Sequence, residues 1–169
     1  RLLHMDPNKK KDQITESELK TYVDVSHEDG VIESEEREMI YNVFDFSDSL
    51  AKDIMIPRID MCSVSVDAGY EELLVLFKKF MYTRIPVYQE ENDNIIGMVN
   101  VKDLILMENR ENFHIKDILR DAYYTYEYKK TSELFVDMRQ QYVSMAIVLD
   151  EYGATAGVVT LEDLLEEIV

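Results

Sequence analysis

The chain repeats itself. Gly97-Met98-Val99-Asn100-Val101-Lys102-Asp103-Leu104 returns sixty residues later as Gly157-Val158-Val159-Thr160-Leu161-Glu162-Asp163-Leu164. Each copy reads as a short apolar strand running into a helix, with a short polar residue at the junction and an aspartate three positions on. Thr160 suits an N-cap and Asp163 suits the first turn. Such a helix start presents backbone N–H groups that favour an anion such as phosphate. A capped helix after a core strand explains one copy alone; two copies in register point to a duplicated architecture.

The duplication extends outward. Lys52-Asp53-Ile54-Met55 echoes Lys116-Asp117-Ile118-Leu119, and Thr83-Arg84-Ile85-Pro86-Val87-Tyr88 echoes Ser144-Met145-Ala146-Ile147-Val148-Leu149. Reading along each unit gives β-α-β-β-α. In the first, Ile54 to Arg58 is an incoming segment that Pro57 keeps from continuing as helix. Cys62–Val66 is then a strand, Asp67 caps a helix to about Tyr82, Arg84–Tyr88 and Ile95–Val99 are strands, and Val101–Met107 is helical. In the second, Ile115–Leu119 comes in, Ala122–Tyr126 is a strand and Ser132 caps a helix. Met145–Leu149 and Thr155–Val159 are strands, and Leu161 onward is helical. The last two strands of each unit are joined by a short turn and should form an antiparallel hairpin. A three-stranded sheet with helices on one face leaves its other face bare, so the two units should pack against each other. The expected fold is α+β, with a lead-in at 1–50 and repeats at 51–110 and 111–169.

The lead-in is helical. Thr15-Glu16-Ser17-Glu18 is a capping-box pattern for a helix to about Val25. Gly30 marks a turn, and Ser34 is the expected cap of a second helix carrying Met39, Ile40, Val43 and Phe44. Asp29-Gly30-Val31-Ile32 with Glu36 resembles the second half of a calcium loop. Val25 and His27 stand where two oxygen ligands belong, so a plain turn is the better reading. Residues 1–13, with Lys9-Lys10-Lys11, read as a solvated tail.

Charge narrows the partners. The net charge is −17, with six basic against thirteen acidic groups in residues 1–50 and twelve against twenty-two in the rest. Nucleic acid and an anionic membrane surface are therefore poor partners. Cys62 is the single cysteine, which excludes an internal disulfide and favours a reducing compartment. It is expected to be buried and inert. No apolar run approaches the ~18 residues of a membrane span. Arg1 is not an initiator Met and Leu164–Val169 runs on without a C-cap signal, so a piece of a longer protein is expected. His4, His27 and His114 are scattered, and no metal site is assigned. Tyr123-Tyr124-Tyr126-Tyr128 reads as packing or dimer surface, and the nine methionines as core filler. No Ser-His-Asp or Cys-His arrangement and no Gly-rich phosphate loop is present, so the chain is not read as an enzyme.

Asp53-Ile54-Met55-Ile56-Pro57-Arg58, Tyr82-Thr83-Arg84-Ile85-Pro86-Val87, Asp150-Glu151-Tyr152-Gly153 and Gly157 to Leu164 resemble a tandem CBS domain pair, or Bateman module. More narrowly, they resemble the pair of the hemolysin-like, CorC-type magnesium and cobalt efflux proteins, to which the cyclin M transporters are related. The resemblance covers about 70% of the chain, residues 50–169. It implies a regulatory module that binds an adenosine nucleotide, AMP or ATP with or without Mg²⁺. It also implies a homodimer through the CBS pairs, and membrane and C-terminal domains in the parent protein. The module would lie at the cytoplasmic face of the cell membrane.

The resemblance implies nucleotide contacts at Ile56, Pro57, Arg58, Tyr82, Thr83, Arg84, Pro86, Thr160 and Asp163. Asp163 can accept from a ribose diol, and Thr160 and the helix amides can reach phosphate. Arg84 offers a guanidinium fork, with Arg58 as a weaker phosphate candidate. Adenine would lie against Met55, Ile56 and Pro57, with Ile85 and Pro86 nearby. A second, degenerate site would hold Asn100, Asp103 and Met145 and no arginine. The competing readings are a ligand-free dimerisation and coupling module, and divalent-cation sensing by the acidic helices.

Overall fold

The computed structural model describes residues 14–108 and 110–169; the expected basic tail lies outside them. Helix α1 (Glu16–Glu28) opens on the expected box: Thr15 Oγ1 accepts from Glu18 N, and Thr15 N donates to Glu18 Oε2 at 2.7 Å. Helix α2 (Ser34–Asp48) is capped by Glu33, not Ser34. Glu33 is still extended, at φ −82° and ψ 165°, and its N–H donates to Glu36 Oε2, so the chain turns helical one residue earlier than Ser34 would set. Asp24 ties the two helices together by accepting from Arg37 Nε at 2.7 Å and Tyr41 Oη at 2.9 Å.

After a single turn, α3 (Ala51–Ile54), and strand β1 (Ile56–Pro57), the first repeat builds a sheet in the order β2-β3-β4. Its strands are Val64–Ser65, Arg84–Tyr88 and Ile95–Asn100, with β2 parallel to β3 and β3 antiparallel to β4. Helix α4 (Tyr70–Phe80) connects β2 to β3, and α5 (Val101–Ile105) follows β4. The cap of α4 is Gly69 and not Asp67. Ser65 spends both its carbonyl and its hydroxyl on the amides of Ala68 and Asp67, which makes a turn where the helix was expected to begin. At the other end Met81 enters the left-handed region, φ 56°, and stops α4 before Tyr82.

The second repeat gives β5 (Tyr123–Tyr126), α6 (Thr131–Gln140), β6 (Met145–Leu149), β7 (Thr155–Thr160) and α7 (Leu161–Glu166). Helix α6 starts at Thr131, one residue before the expected Ser132 cap. Tertiary bonds fix that start: Thr131 N donates to Ser49 O at 3.0 Å, and its buried hydroxyl donates to the Phe46 carbonyl.

The sheet of the second repeat has four strands, β1-β7-β6-β5. The extra strand is the incoming segment of the first repeat, paired as Ile56↔Val158 and Pro57↔Gly157. The exchange is reciprocal. Arg120, at the end of the second incoming segment, bridges to Met98 of β4 through two 2.9 Å backbone bonds. Neither unit is therefore closed on its own strands.

Apolar side chains split by strand alternation. Leu73, Phe77, Ile85, Val87, Val99, Leu104 and Ile115 fill the first core. Leu134, Met138, Ala146, Val148, Val159 and Leu164 fill the second, joined by Phe46 of α2. Ile95, Ile147 and Val158 point the other way and meet between the sheets. This contact covers the bare sheet faces, as the repeat pattern required.

Candidate functional site

Between the two repeats lies a cavity of about 350 Å³. Its wall comes from five places in the chain: Ile56 of β1; Asp60, Met61 and Cys62 after it; Met81, Tyr82, Thr83, Arg84 and Pro86 leading into β3; Ser144 and Met145 leading into β6; and Val158, Thr160, Glu162 and Asp163 at the β7–α7 junction. Seven of the nine implied contacts are gathered here. Pro57 and Arg58 are not on the wall. Arg58 Nη1 donates to Thr155 O at 3.2 Å and lies 3.8 Å from Asp93 Oδ2, so its charge is used to tie the β3–β4 turn to the start of β7.

The polar end is organised by a cap. Thr160 Oγ1 donates to Asp163 Oδ2 at 2.7 Å and accepts from Asp163 N at 3.2 Å, while Thr160 N donates to the same Oδ2 at 2.7 Å. The Asp163 carboxylate is thus held by one oxygen, and Oδ1 is left to accept. Leu161 N is taken by Ser144 O at 3.0 Å. With those amides satisfied internally, and α7 only 6 residues long, the helix start offers little to a phosphate. The cation on the cavity wall is Arg84. Its guanidinium donates to Thr83 Oγ1 at 3.4 Å and joins no ion pair among the described residues. The surface salt bridge that so acidic a chain invites is not what holds it.

The rest of the wall is apolar and sulfur-rich, with Met61, Cys62, Met81 and Met145 as well as Ile56, Pro86 and Val158. Phe80 and Tyr82 stack at its edge, 5.7 Å between centroids and 8° from parallel. Cys62 is half-buried on this wall, not sealed in a core strand, because β2 starts only at Val64. Burial pushes its thiol above the usual range, against a smaller opposing pull from Lys79.

A polar head, a free cation and an apolar slot in one cavity have the layout of a site for a nucleotide-like ligand. The comparisons give that layout a family. The family model for the CBS domain matches residues 51–108 and 115–169. The chain belongs to the CBS domain family. It is 36% identical over 154 residues to the magnesium and cobalt efflux protein CorC of Pasteurella multocida, an alignment covering 90% of this chain and 51% of that protein. Among solved structures, the CBS domain of the bacterial CNNM/CorC family Mg²⁺ transporter superposes with a TM-score of 0.86 at 36% identity, over 93% of this chain and 97% of that one. The same family's CBS domain in complex with ATP gives a TM-score of 0.75 at 38% identity, over 79% and 96%. The CBS pair is therefore of the CorC type. The chain spans between 35% and 58% of the length of curated relatives it matches.

Asp60, Met61, Cys62, Met81, Ser144, Val158 and Glu162 line the cavity but were not among the contacts named from the sequence. Ser144 was within reach, because it stands at the repeat position of Thr83. Met145 was assigned to the degenerate site but lines this cavity, since β3 and β6 both begin at the central seam.

The degenerate site differs from expectation in another respect. A second cleft, about 340 Å³, is lined by Asp103, Leu106, Met107, Asp117, Ile118, Leu119 and Arg120. It does hold an arginine. Arg120 Nε and Nη2 donate to Asp103 Oδ2 and Oδ1 at 2.6 and 2.7 Å. That pairing holds the Asp103 carboxyl below its usual range. Asn100 is not on this wall; its Oδ1 caps α5 by accepting from Lys102 N at 3.0 Å. Among the described residues no group of three or more His, Cys, Asp and Glu is placed to hold a metal ion, and no helix is long and apolar enough to cross a membrane.

Proposed function

We infer that this CBS pair is the regulatory, non-catalytic module of a membrane-associated divalent-metal transport protein, and that it responds to an adenosine nucleotide, AMP or ATP, bound in the central cavity. The observation that carries the reading is the convergence of Arg84 with the Thr160–Asp163 cap across the seam between repeats. Asp163 Oδ1 accepts from the ribose hydroxyls. Adenine lies in the slot formed by Ile56, Pro86 and Val158, with Tyr82 at its edge. Arg84 and Thr83 meet the phosphates.

Charge bears on the nucleotide's form. Asp60, Glu162 and Asp163 face the cavity against Arg84. An unaccompanied polyphosphate would be repelled, so a di- or triphosphate enters with Mg²⁺ and a monophosphate does not need it. Because the ligand touches both repeats, binding favours one relative placement of the two, which is a signal a partner domain can read. The module pairs with a second copy to form the working dimer.

Isothermal titration with AMP, ADP and ATP, with and without Mg²⁺, tests the reading alongside Arg84→Ala and Asp163→Ala. Binding by the folded wild type, lost in both variants, supports it. Flat titrations at millimolar nucleotide would leave a ligand-free coupling module.

A further inference from the structure

The two clefts are related by the internal repeat, residue by residue. Gly97 matches Gly157, Met98 matches Val158, Asp103 matches Asp163, and the bridge Met98↔Arg120 matches Ile56↔Val158. Arg120 therefore holds the place of Ile56. At the first site an apolar side chain stands there and Asp163 keeps Oδ1 open. At the second, a guanidinium is bonded to both oxygens of Asp103 in the parallel two-bond arrangement that a carboxylate holds best.

We propose that Arg120 is a built-in stand-in for ligand: it occupies the carboxylate that a ribose diol would engage and keeps the second cleft closed to adenosine compounds. The chain then carries one nucleotide, not two, and a single exchange at Arg120 opens the other cleft. The assignment of adenosine as the ligand class rests on the reading of the first cavity given above. What makes the second cleft silent is the arginine more than the loss of a threonine at Asn100. Asn100 still caps its helix, and Asp103 still stands at the third helical position with Leu106, Ile118 and Leu119 beside it.

The test is an ¹⁵N–¹H NMR titration with AMP, which reads each cleft by its own amides. In the wild type, shifts are expected at Arg84 and Thr160–Asp163 and none at Asp103, Leu104 and Leu119. Asn100 and Val101 do not discriminate, because Asn100 pairs with Arg84 and Val101 N donates to Thr83 O at 3.0 Å. In Arg120→Ile, which copies the first repeat, a second set should appear at Asp103, Leu104 and Leu119 while the first set persists. Arg120→Ala serves if the isoleucine disturbs the spectrum. Asp103→Asn releases the arginine but removes the acceptor, and should leave Leu104 and Leu119 unmoved. Wild-type shifts at Asp103, Leu104 and Leu119 would overturn the proposal, and so would a well-dispersed Arg120 variant that stays silent there. Silence at Thr160–Asp163 alone would count against the nucleotide reading of the first cavity and not against the lock, which the amides of Asp103, Leu104 and Leu119 decide by themselves.

Discussion

The backbone carbonyl of Ile56 lies against the α-carbon of Gly157, so that a β-carbon at that position would collide with it and would stand 3.0 Å from Met55 Sδ. The same contact recurs across the pseudo-symmetry, where a β-carbon on Gly97 would meet Arg120 O at 2.6 Å. These glycines let each incoming segment lie down on the other repeat's hairpin. Gly157→Ala and Gly97→Ala should each cost about 1–3 kcal/mol, because the obstructing atoms are backbone and cannot swing aside. Urea melts would show it as a lower midpoint with an unchanged slope. Gly157→Ala should also weaken nucleotide binding, since it displaces Ile56 from the cavity wall.

Phe46 joins the N-terminal helices to the second repeat. It is 6% exposed, packs edge-on to Phe135 at 6.4 Å between centroids, and shares a core with Leu164, the neighbour of Asp163. Phe46→Ala should cost roughly 3–5 kcal/mol by the usual measure of a buried aromatic truncation. Its local signature is faster amide exchange across α2, greater than across α4 and β3, whose buried side chains fill the other core. Equal acceleration in both repeats would mean that α2 is not a separately docked element.

Cys62 reports on the cavity. Its thiol is raised by burial, so the reactive thiolate is scarce at neutral pH. Alkylation by iodoacetamide, followed by mass spectrometry, should be slow at pH 7 and accelerate above the ordinary thiol range of about 8.5. Saturating AMP should slow it further, because Cys62 lines the same wall as Arg84 and Thr160. Modification unaffected by nucleotide would put the ligand elsewhere.

The Arg120–Asp103 pair should leave a trace in acid. The Asp103 carboxyl is lowered in the folded protein, chiefly by its bonds from Arg120. A lowered folded-state value stabilises above the unfolded carboxylate's pKa, about 3.9, and that contribution disappears as pH falls through the folded value. The melting temperature of wild type minus that of Arg120→Ala should therefore be larger at pH 7 than below pH ~3. Both side chains meet solvent, so a small difference is expected.

Sequence carried the local structure further than the joins. Strands β3 and β6 run over the residues that apolar patterning assigned, because each is a compact apolar run closed by turn residues. Helix starts were displaced at Ser34, Asp67 and Ser132, where good capping side chains lost to a neighbouring backbone already held by other bonds. The strand exchange is non-local; its one mark in the sequence is the glycine that each repeat keeps at the crossing. Thr160 and Asp163 could be named because they form a recognisable cap at matched repeat positions, and Arg84 because the family resemblance pointed to it. Arg120 could not, since nothing local tells that it reaches Asp103 seventeen residues back.

Thr160 does two things that a pair of variants separates. Its hydroxyl caps α7, and by donating to Asp163 Oδ2 it sets which carboxylate oxygen faces the cavity. Thr160→Val keeps the shape and removes the hydroxyl, so the cap is lost at a cost of about 1 kcal/mol. Asp163 Oδ2 then keeps only the bond from the backbone N–H of residue 160, and nucleotide affinity should fall by more than that stability loss explains. Thr160→Ser restores the oxygen and should recover both stability and binding. A valine variant that melts lower yet titrates like wild type would show that the Thr160 hydroxyl serves the fold alone, and that the backbone bond suffices to present the free oxygen of Asp163.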